Sequence, residues 1–351
     1  MKKVTVSELK PGMKLAGDIY SSDGKLLLLS DAIIRKHHIK KLQLFDIDYV
    51  FVYDDILAPA IDLRETKVYS DAYNTVKSVL TSVIGGNELD VPAVRETVNE
   101  IVSQVMDNEE VFMQLNGIRD MDNYTFMHSV DVCIFSVIIG KNMQLQKQEL
   151  LDLATASLLH DIGKCKIPPE ILFKPKQLTE EEFEIVKLHT LYGYEILTKT
   201  DGINERIACT AYQHHEKWDG TGYPCSLKGL EIDLFARIVS VADIYDAITS
   251  ERIYKTRNMP YEGASYIINK SGIYVDPDIA KLFIKNIAVY PKGSIVLLNT
   301  GEIGNIVGIN KNMSIKPKIQ VIAHKDGPPV YEPYILDLTQ EQDVFIVDVL
   351  L

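Results

Sequence analysis

A formal net charge of −12 over 351 residues argues against a partner that is a nucleic-acid polymer, because proteins that grip that backbone carry a basic surface. With 46% hydrophobic and 25% charged residues the composition is globular, and the chain is long enough for two or three domains around a large core. An acidic protein still binds phosphates where metal ions and a few local cations supply the positive charge.

The four cysteines, Cys133, Cys165, Cys209 and Cys225, show no CxxC spacing and read as reduced thiols. No uncharged run approaches the ~20 residues of a membrane helix. The N-terminus lacks the apolar stretch of a signal peptide. A cytoplasmic protein with no membrane segment is expected.

Residues 1–57 predict a small α/β module. Val4 and Val6 lead into a Pro11-Gly12 turn, and Asp18–Tyr20 and Leu26–Leu29 flank the turn-forming stretch Ser22–Lys25. Asp31 is placed to cap a helix ending near Leu42, and Asp48–Val52 reads as a closing strand. Residues 58–115 predict a helical linker region. Tyr69, Tyr73, Val76, Leu80 and Val83 form one apolar stripe, and Val94, Val98, Ile101 and Val105 form another. Such stripes serve packing within the chain or a homodimer through helices 66–106, and periodicity does not choose between them.

Residues 116–286 read as one all-helical block. After Tyr290-Pro291 the pattern turns to short strands, Ile295–Leu298, Ile303–Ile309, Ile319–Ala323 and Val344–Val349, with turns at Thr300-Gly301, Asn310–Asn312 and Asp326-Gly327. Residues 287–351 therefore predict a small, barrel-like β module. The fold class is mainly α: an all-helical core between a small N-terminal α/β module and a small C-terminal β module.

The chemistry-bearing residues lie in the helical block. His128 opens an apolar run, Val130–Ile139, that reads as buried, and a buried imidazole needs partners. His160-Asp161 is placed at the end of the next helix, with Gly163 as its stop and Lys164 following. Thr179 and Glu182 form a capping-box signature for a third helix, with His189 further along it. A fourth helix is predicted to carry His214 and His215. A fifth has Leu234, Ile238, Val241, Tyr245 and Ile248 on one side and Asp243 and Asp246 on the other, among small residues. Five histidines with Asp161 and Asp243 make a ligand set for iron, manganese, zinc or nickel. Seven ligands suit two ions, with Asp161 placed to bridge, and paired ions are a phosphoryl-transfer device. After His215 comes a loop rich in turn formers, Asp219-Gly220-Thr221-Gly222-Tyr223-Pro224.

In order, His160-Asp161-Ile162-Gly163-Lys164, Ile167-Pro168, Lys174-Pro175, Leu178-Thr179, His189, His214-His215-Glu216, Asp219 to Pro224, Arg237, Asp243 and Arg252-Ile253-Tyr254-Lys255 resemble the HD-GYP subgroup of the HD-domain metal-dependent phosphohydrolases. The resemblance covers roughly residues 120–286. It implies a helical HD-domain core and a metal-dependent phosphodiesterase that hydrolyses the bacterial second messenger cyclic di-GMP. The metal ligands it implies are His128, His160, Asp161, His189, His214, His215 and Asp243. Lys164 is implied as a catalytic ligand of the substrate phosphate. Tyr223, Arg252 and Lys255 match positions that hold the cyclic dinucleotide. Some relatives bind a third metal through a glutamate four residues before the first histidine; that position is Tyr124 here.

The expected cofactors are two divalent transition-metal ions, iron or manganese. On this expectation a hydroxide held by the ions would attack phosphorus, giving pGpG or GMP. Two alternatives stay open: a cyclic dinucleotide receptor or scaffold that does not hydrolyse its ligand, and an HD phosphohydrolase of another nucleotide. Glu216 and Asp219 are expected to tie down the Gly-Tyr-Pro loop.

Overall fold

The computed structural model describes the chain apart from residues 1, 7, 10–12, 14, 22–25, 29–33, 35, 46, 53–60, 63–65, 108–110, 113–123, 175, 251–258, 288, 291–292, 311–312, 314, 325–328 and 351. The turns expected at Pro11-Gly12, Ser22–Lys25 and Asp326-Gly327 and the Asp31 cap lie outside the described residues, as do Arg252 and Lys255. Tyr124 opens a helix, but its side chain is likewise outside them.

The chain forms two compact units, Met1–Ile61 and Asp62–Leu351. In the first, β1 (Lys2–Thr5) pairs antiparallel with β4 (Tyr49–Val52), and β2 (Ile19–Tyr20) pairs antiparallel with β3 (Leu26–Leu28). Helix α1 (Lys36–Leu44) contributes Leu42 to the core. In β4 the burial alternates, with Val50 and Val52 inward and Tyr49 and Phe51 outward, the period-two signature of a half-buried strand. Val4, Val6, Leu9, Leu15, Ile19, Leu27 and Ile34 are buried in the same core.

The two-residue strand β5 (Ile61–Asp62) leads toward α2 (Lys67–Ile84) and α3 (Val91–Asp107), and β6 (Val111–Phe112) follows. Helix α4 (Tyr124–Asn142) is the axis of the second unit. Its residues from His128 to Gly140 are buried, because other helices cover it on every side. Against it pack α2, α3, α5 (Lys147–Leu158), α10 (Leu234–Thr249) and α12 (Pro277–Asn286). The stripes of α2 and α3 are thus spent within the chain: Tyr69, Val76, Leu80, Val94, Val98, Ile101 and Val105 are buried in one copy. The Tyr69 hydroxyl donates to Asp131 of α4 at 2.9 Å. Most of the surface that suggested a homodimer seam through helices 66–106 is thus covered within the chain, while Tyr73 and Val83 are half-buried.

Helix starts follow the sequence. Thr179 and Glu182 make the capping box of α7 (Glu180–Lys187), and Asn204 caps α9 (Glu205–Gln213). Helix ends differ from the sequence reading. Helix α5 stops at Leu158, so His160 and Asp161 stand on the turn beyond it, and Gly163 lies inside a following 3-10 turn, Ile162–Lys166. His189 is not far along the third helix; it starts a separate one, α8 (His189–Thr198). His214 and His215 lie just past α9. The remaining short helices are α6 (Pro169–Leu172) and α11 (Pro260–Lys270).

The C-terminal module is a five-stranded antiparallel sheet of β7 (Ile295–Leu298), β8 (Glu302–Gly308), β9 (Lys318–His324), β10 (Pro329–Asp337) and β11 (Ile346–Val349), in the order β10-β9-β8-β7-β11. Sequence reading missed β10, whose Pro329 and Pro333 argue against a central strand. It is an edge strand, with a register shift between Pro329 and Tyr334, and an edge is where proline is tolerated. Among the described residues no helix is long and apolar enough to cross a membrane.

Candidate metal centre

The site forms where segment ends converge on the buried start of α4. His128 comes from the first two turns of α4, His160 and Asp161 from the turn after α5, and His189 from the first residue of α8. His214 and His215 come from the end of α9, and Asp243 from α10. All seven residues expected as ligands are brought together. They form two groups, Asp161, His189, His214 and His215, and His128, His160 and Asp243, with ligand atoms in each within 4.8 Å of one another.

Asp161 stands between the groups. Its Oδ2 lies 3.3 Å from His160 Nε2 and 3.7 Å from His128 Nε2. Its Oδ1 lies 3.4 Å from His189 Nε2 and 3.8 Å from His214 Nε2. Asp243 lies 3.2 Å from His128 Nε2 and 4.0 Å from His215 Nδ1. Lys164 Nζ donates to Asp161 Oδ2. Close approach of the 3-10 turn to α8 requires glycine at 163, where a Cβ would fall 1.9 Å from the His189 carbonyl oxygen.

Backbone carbonyls fix three of the rings. His160, His189 and His214 donate from Nδ1 to the carbonyls of Ser157, Val186 and Ala211 at 2.7, 2.6 and 2.9 Å. That bond fixes the tautomer and leaves the Nε2 lone pair facing the site. His128 Nδ1 is paired instead with Asp246 Oδ2 at 2.7 Å, and Ser250 Oγ donates to the other Asp246 oxygen at 2.8 Å. Asp246 is fully buried. It is the functional residue that sequence reading left without a role. Its signal was the spacing Asp243-x-x-Asp246, which puts both carboxylates on one helix face.

Burial lowers the basicity of His214, helped by the neighbouring His215. Burial also lowers His189, against the pull of Asp161, and takes His215 down to about 3 against the pull of Asp243. Burial works the same way on His128, but Asp243 and Asp246 outweigh it and push that ring up to about 9. Asp161 is held well below the usual carboxylate range: burial would raise it, and Lys164 and His160 prevail. The site thus combines neutral imidazoles at His189, His214 and His215 with a protonated His128 and ionised carboxylates at Asp161 and Asp243. Among the described residues, His160 Nε2 and Asp161 Oδ1 are buried without a hydrogen-bond partner. Such atoms cost about 1–3 kcal/mol each. His160 Nε2 belongs to one ligand group and Asp161 Oδ1 faces the other, so a cation in each group would satisfy both. The donor set of imidazole nitrogens and carboxylates fits transition-metal ions.

The loop after His215 lies beside the centre. Glu216 is buried and accepts from the backbone N–H groups of Cys225 and Leu227 at 2.6 and 3.0 Å. Asp219 accepts from the Thr221 N–H at 2.9 Å. At Gly222 a Cβ would meet the Lys217 nitrogen at 2.3 Å, so only glycine lets the loop fold onto the His215 segment. Tyr223, joined to Pro224 by a cis peptide, lays its ring on His215, with centroids 4.9 Å apart. Arg237 donates to Asp276 at 2.7 Å, linking α10 to the start of α12.

A family model described as an HD domain matches residues 121–279, and one described as a KOW domain associated with HD domain matches residues 295–351. A cyclic di-GMP phosphodiesterase of Pseudomonas aeruginosa is 32% identical over 252 residues, covering 72% of this chain and 61% of its own. A cyclic di-GMP phosphodiesterase of Thermotoga maritima is 40% identical over 177 residues, covering 50% of this chain and 48% of its own. The chain therefore spans about half to three-fifths of the length of these relatives. An HDG"Y"P protein from Bdellovibrio bacteriovorus superposes with a TM-score of 0.52 at 17% identity, over 81% of this chain and 98% of that one, a likeness of fold. With its His-Asp pair, its Gly-Tyr-Pro loop and the converging histidines, the chain belongs to the HD-GYP family of HD-domain proteins.

Proposed function

We propose that this protein is a phosphodiesterase that hydrolyses cyclic di-GMP at a two-metal centre. The observation that carries the reading is the position of Asp161, with one oxygen toward each ligand group. The activity named for the relatives points to the same substrate. His128, His160 and Asp243 would hold one ion, His189, His214 and His215 the other, and Asp161 would bridge. Two divalent ions, iron or manganese, supply the acidity that activates water and the charge that stabilises the phosphate oxygens.

The remaining work falls to the chain. The buried walls around His160 and His214 keep bulk water from the ligands. Lys164 faces the site from the partly exposed side and is the cation that would meet a non-bridging phosphate oxygen, exchanging Asp161 for substrate. Tyr223 borders the same opening. Arg252 and Lys255 are proposed to grip the second phosphate. The products are pGpG or GMP. In this reading residues 116–286 form the catalytic domain, 1–57 and 287–351 are accessory modules, 58–115 join them, and the protein works in the cytoplasm.

The test is anaerobic purification, metal counting, and hydrolysis of cyclic di-GMP with product identification, beside 3'3'-cGAMP and cyclic di-AMP. Two ions per chain and turnover of cyclic di-GMP are expected. Tight binding without turnover by the metal-loaded protein makes it a receptor instead. Three fully occupied metal peaks in anomalous diffraction defeat the two-ion assignment and bring Tyr124 into the ligand set.

A further inference from the structure

Aromatic rings run outward from the metal centre in an unbroken series. His189 and His215 have centroids 5.1 Å apart, His215 and Tyr223 4.9 Å, and Tyr223 and Phe183 6.3 Å at an interplanar angle of 82°. The series starts on a residue of the ligand group and ends on Phe183 of α7, which is 44% exposed. One exposed phenylalanine is ordinary. This one has a cation held with it. Lys187 lies one helical turn on, and its Nζ stands 5.0 Å from the Phe183 centroid and 5.5 Å from the Tyr223 centroid.

Lys187 is also easily recruited. It pairs with Glu184, three residues back and 68% exposed, and exposed pairs of this kind contribute little. Lys174 is different, because both oxygens of Glu182 hold it. Lys187 is thus a cation set over two rings, one of them Tyr223 of the Gly-Tyr-Pro loop. A ring beside an ammonium matches one ligand chemistry well. Guanine offers a π-face for stacking and two adjacent acceptors, O6 and N7, whereas adenine places an amino donor at the O6 position.

We propose that Phe183 and Lys187, with Tyr223, form the subsite that selects a guanine base, Phe183 as the stacking surface and Lys187 as the donor to O6 and N7. The inference rests on the proposed hydrolysis of cyclic di-GMP and names what would set its base preference.

The test uses the metal-loaded full chain at matched metal content. KM and kcat for cyclic di-GMP and the competitive Ki of cyclic di-AMP are measured for wild type, Phe183→Ala, Phe183→Tyr and Lys187→Met. Phe183→Ala is expected to raise KM for cyclic di-GMP by roughly five- to hundred-fold, the loss of one base stack, and Phe183→Tyr to restore it. Lys187→Met is expected to lower the preference for cyclic di-GMP over cyclic di-AMP at least tenfold, which loss of a merely structural contact would not do. An unchanged preference in Lys187→Met, or a Phe183→Ala effect confined to kcat, overturns this subsite while the hydrolase reading stands. Failure of wild type to turn over cyclic di-GMP overturns the hydrolase reading, and this subsite with it.

Discussion

Replacing Asp246 tests whether the hydrogen bond behind His128 sets metal affinity. The Asp246–His128 contact of 2.7 Å is fully buried and charge-assisted. Asp246→Asn keeps an acceptor of the same shape but loses the charge, about half the strength of the bond. That is about 1 kcal/mol, or roughly fivefold in affinity. Asp246→Ala removes the acceptor altogether, with a loss at the upper end of the roughly 10–100-fold seen for such supporting groups. A second effect opposes both. Asp246 helps hold a proton on His128 up to about 9, and that proton competes with the metal at neutral pH. The deficit should therefore be small at pH 7 and reach its full size by about pH 9.5. Chelator-competition titration with manganese across that range measures it. A variant-to-wild-type affinity ratio that does not move with pH, or full affinity in Asp246→Asn at the alkaline end, refutes the reasoning.

Three further outcomes are expected. His160→Ala and Asp161→Ala lose hydrolysis and most bound metal in metal analysis, and two ions retained by an active Asp161→Ala would rule out bridging. Lys164→Ala, Arg252→Ala and Lys255→Ala keep their metal but lose activity or affinity by about 1.5–3 kcal/mol each; three variants with wild-type kinetics would exclude the substrate pose. The metal-stripped protein loses stability as pH falls from 7 to 5. His215 is depressed to about 3, so its contribution is present above the unfolded value near 6.5 and lost below it, about 2 kcal/mol by pH 5. His189 and His214 add in the same direction. His128, raised to about 9, has the opposite sign: its contribution is present below about 6.5 and lost as pH rises through 9, so it returns only about 1 kcal/mol over the same interval. Denaturant titrations that give a flat stability from pH 7 to 5 would contradict this.

The residues that cluster at the candidate centre were legible in the sequence because so many histidines and aspartates within one helical block have few other uses. What the sequence misplaced was the boundaries themselves. His160-Asp161 and His214-His215 read as helical because the apolar period of α5 and α9 runs up to them, yet both pairs lie just outside, where a ligand can turn toward a shared point. The break between Lys187 and His189 carries no glycine or proline to announce it. The stripes of α2 and α3 look alike whether they face α4 and α5 or a second chain, and only tertiary packing decides. Strand β10 was hidden by prolines that an edge accepts. Asp246 was visible as a carboxylate beside Asp243, but its partner His128 is 118 residues away, beyond any local pattern.

The carbonyls that orient His160, His189 and His214 each belong to the residue three positions earlier in the chain. Every amino acid supplies that oxygen. Sequence drift at Ser157, Val186 or Ala211 can change the side chain there without changing how the neighbouring imidazole is aimed. His128 has no such insurance, because its ring answers to the identity of one distant residue. Heritable variation in the metal that descendants of this protein accept would therefore be concentrated at position 246, where a single codon change alters the electronic character of His128 and leaves the rings of His160, His189 and His214 as they were.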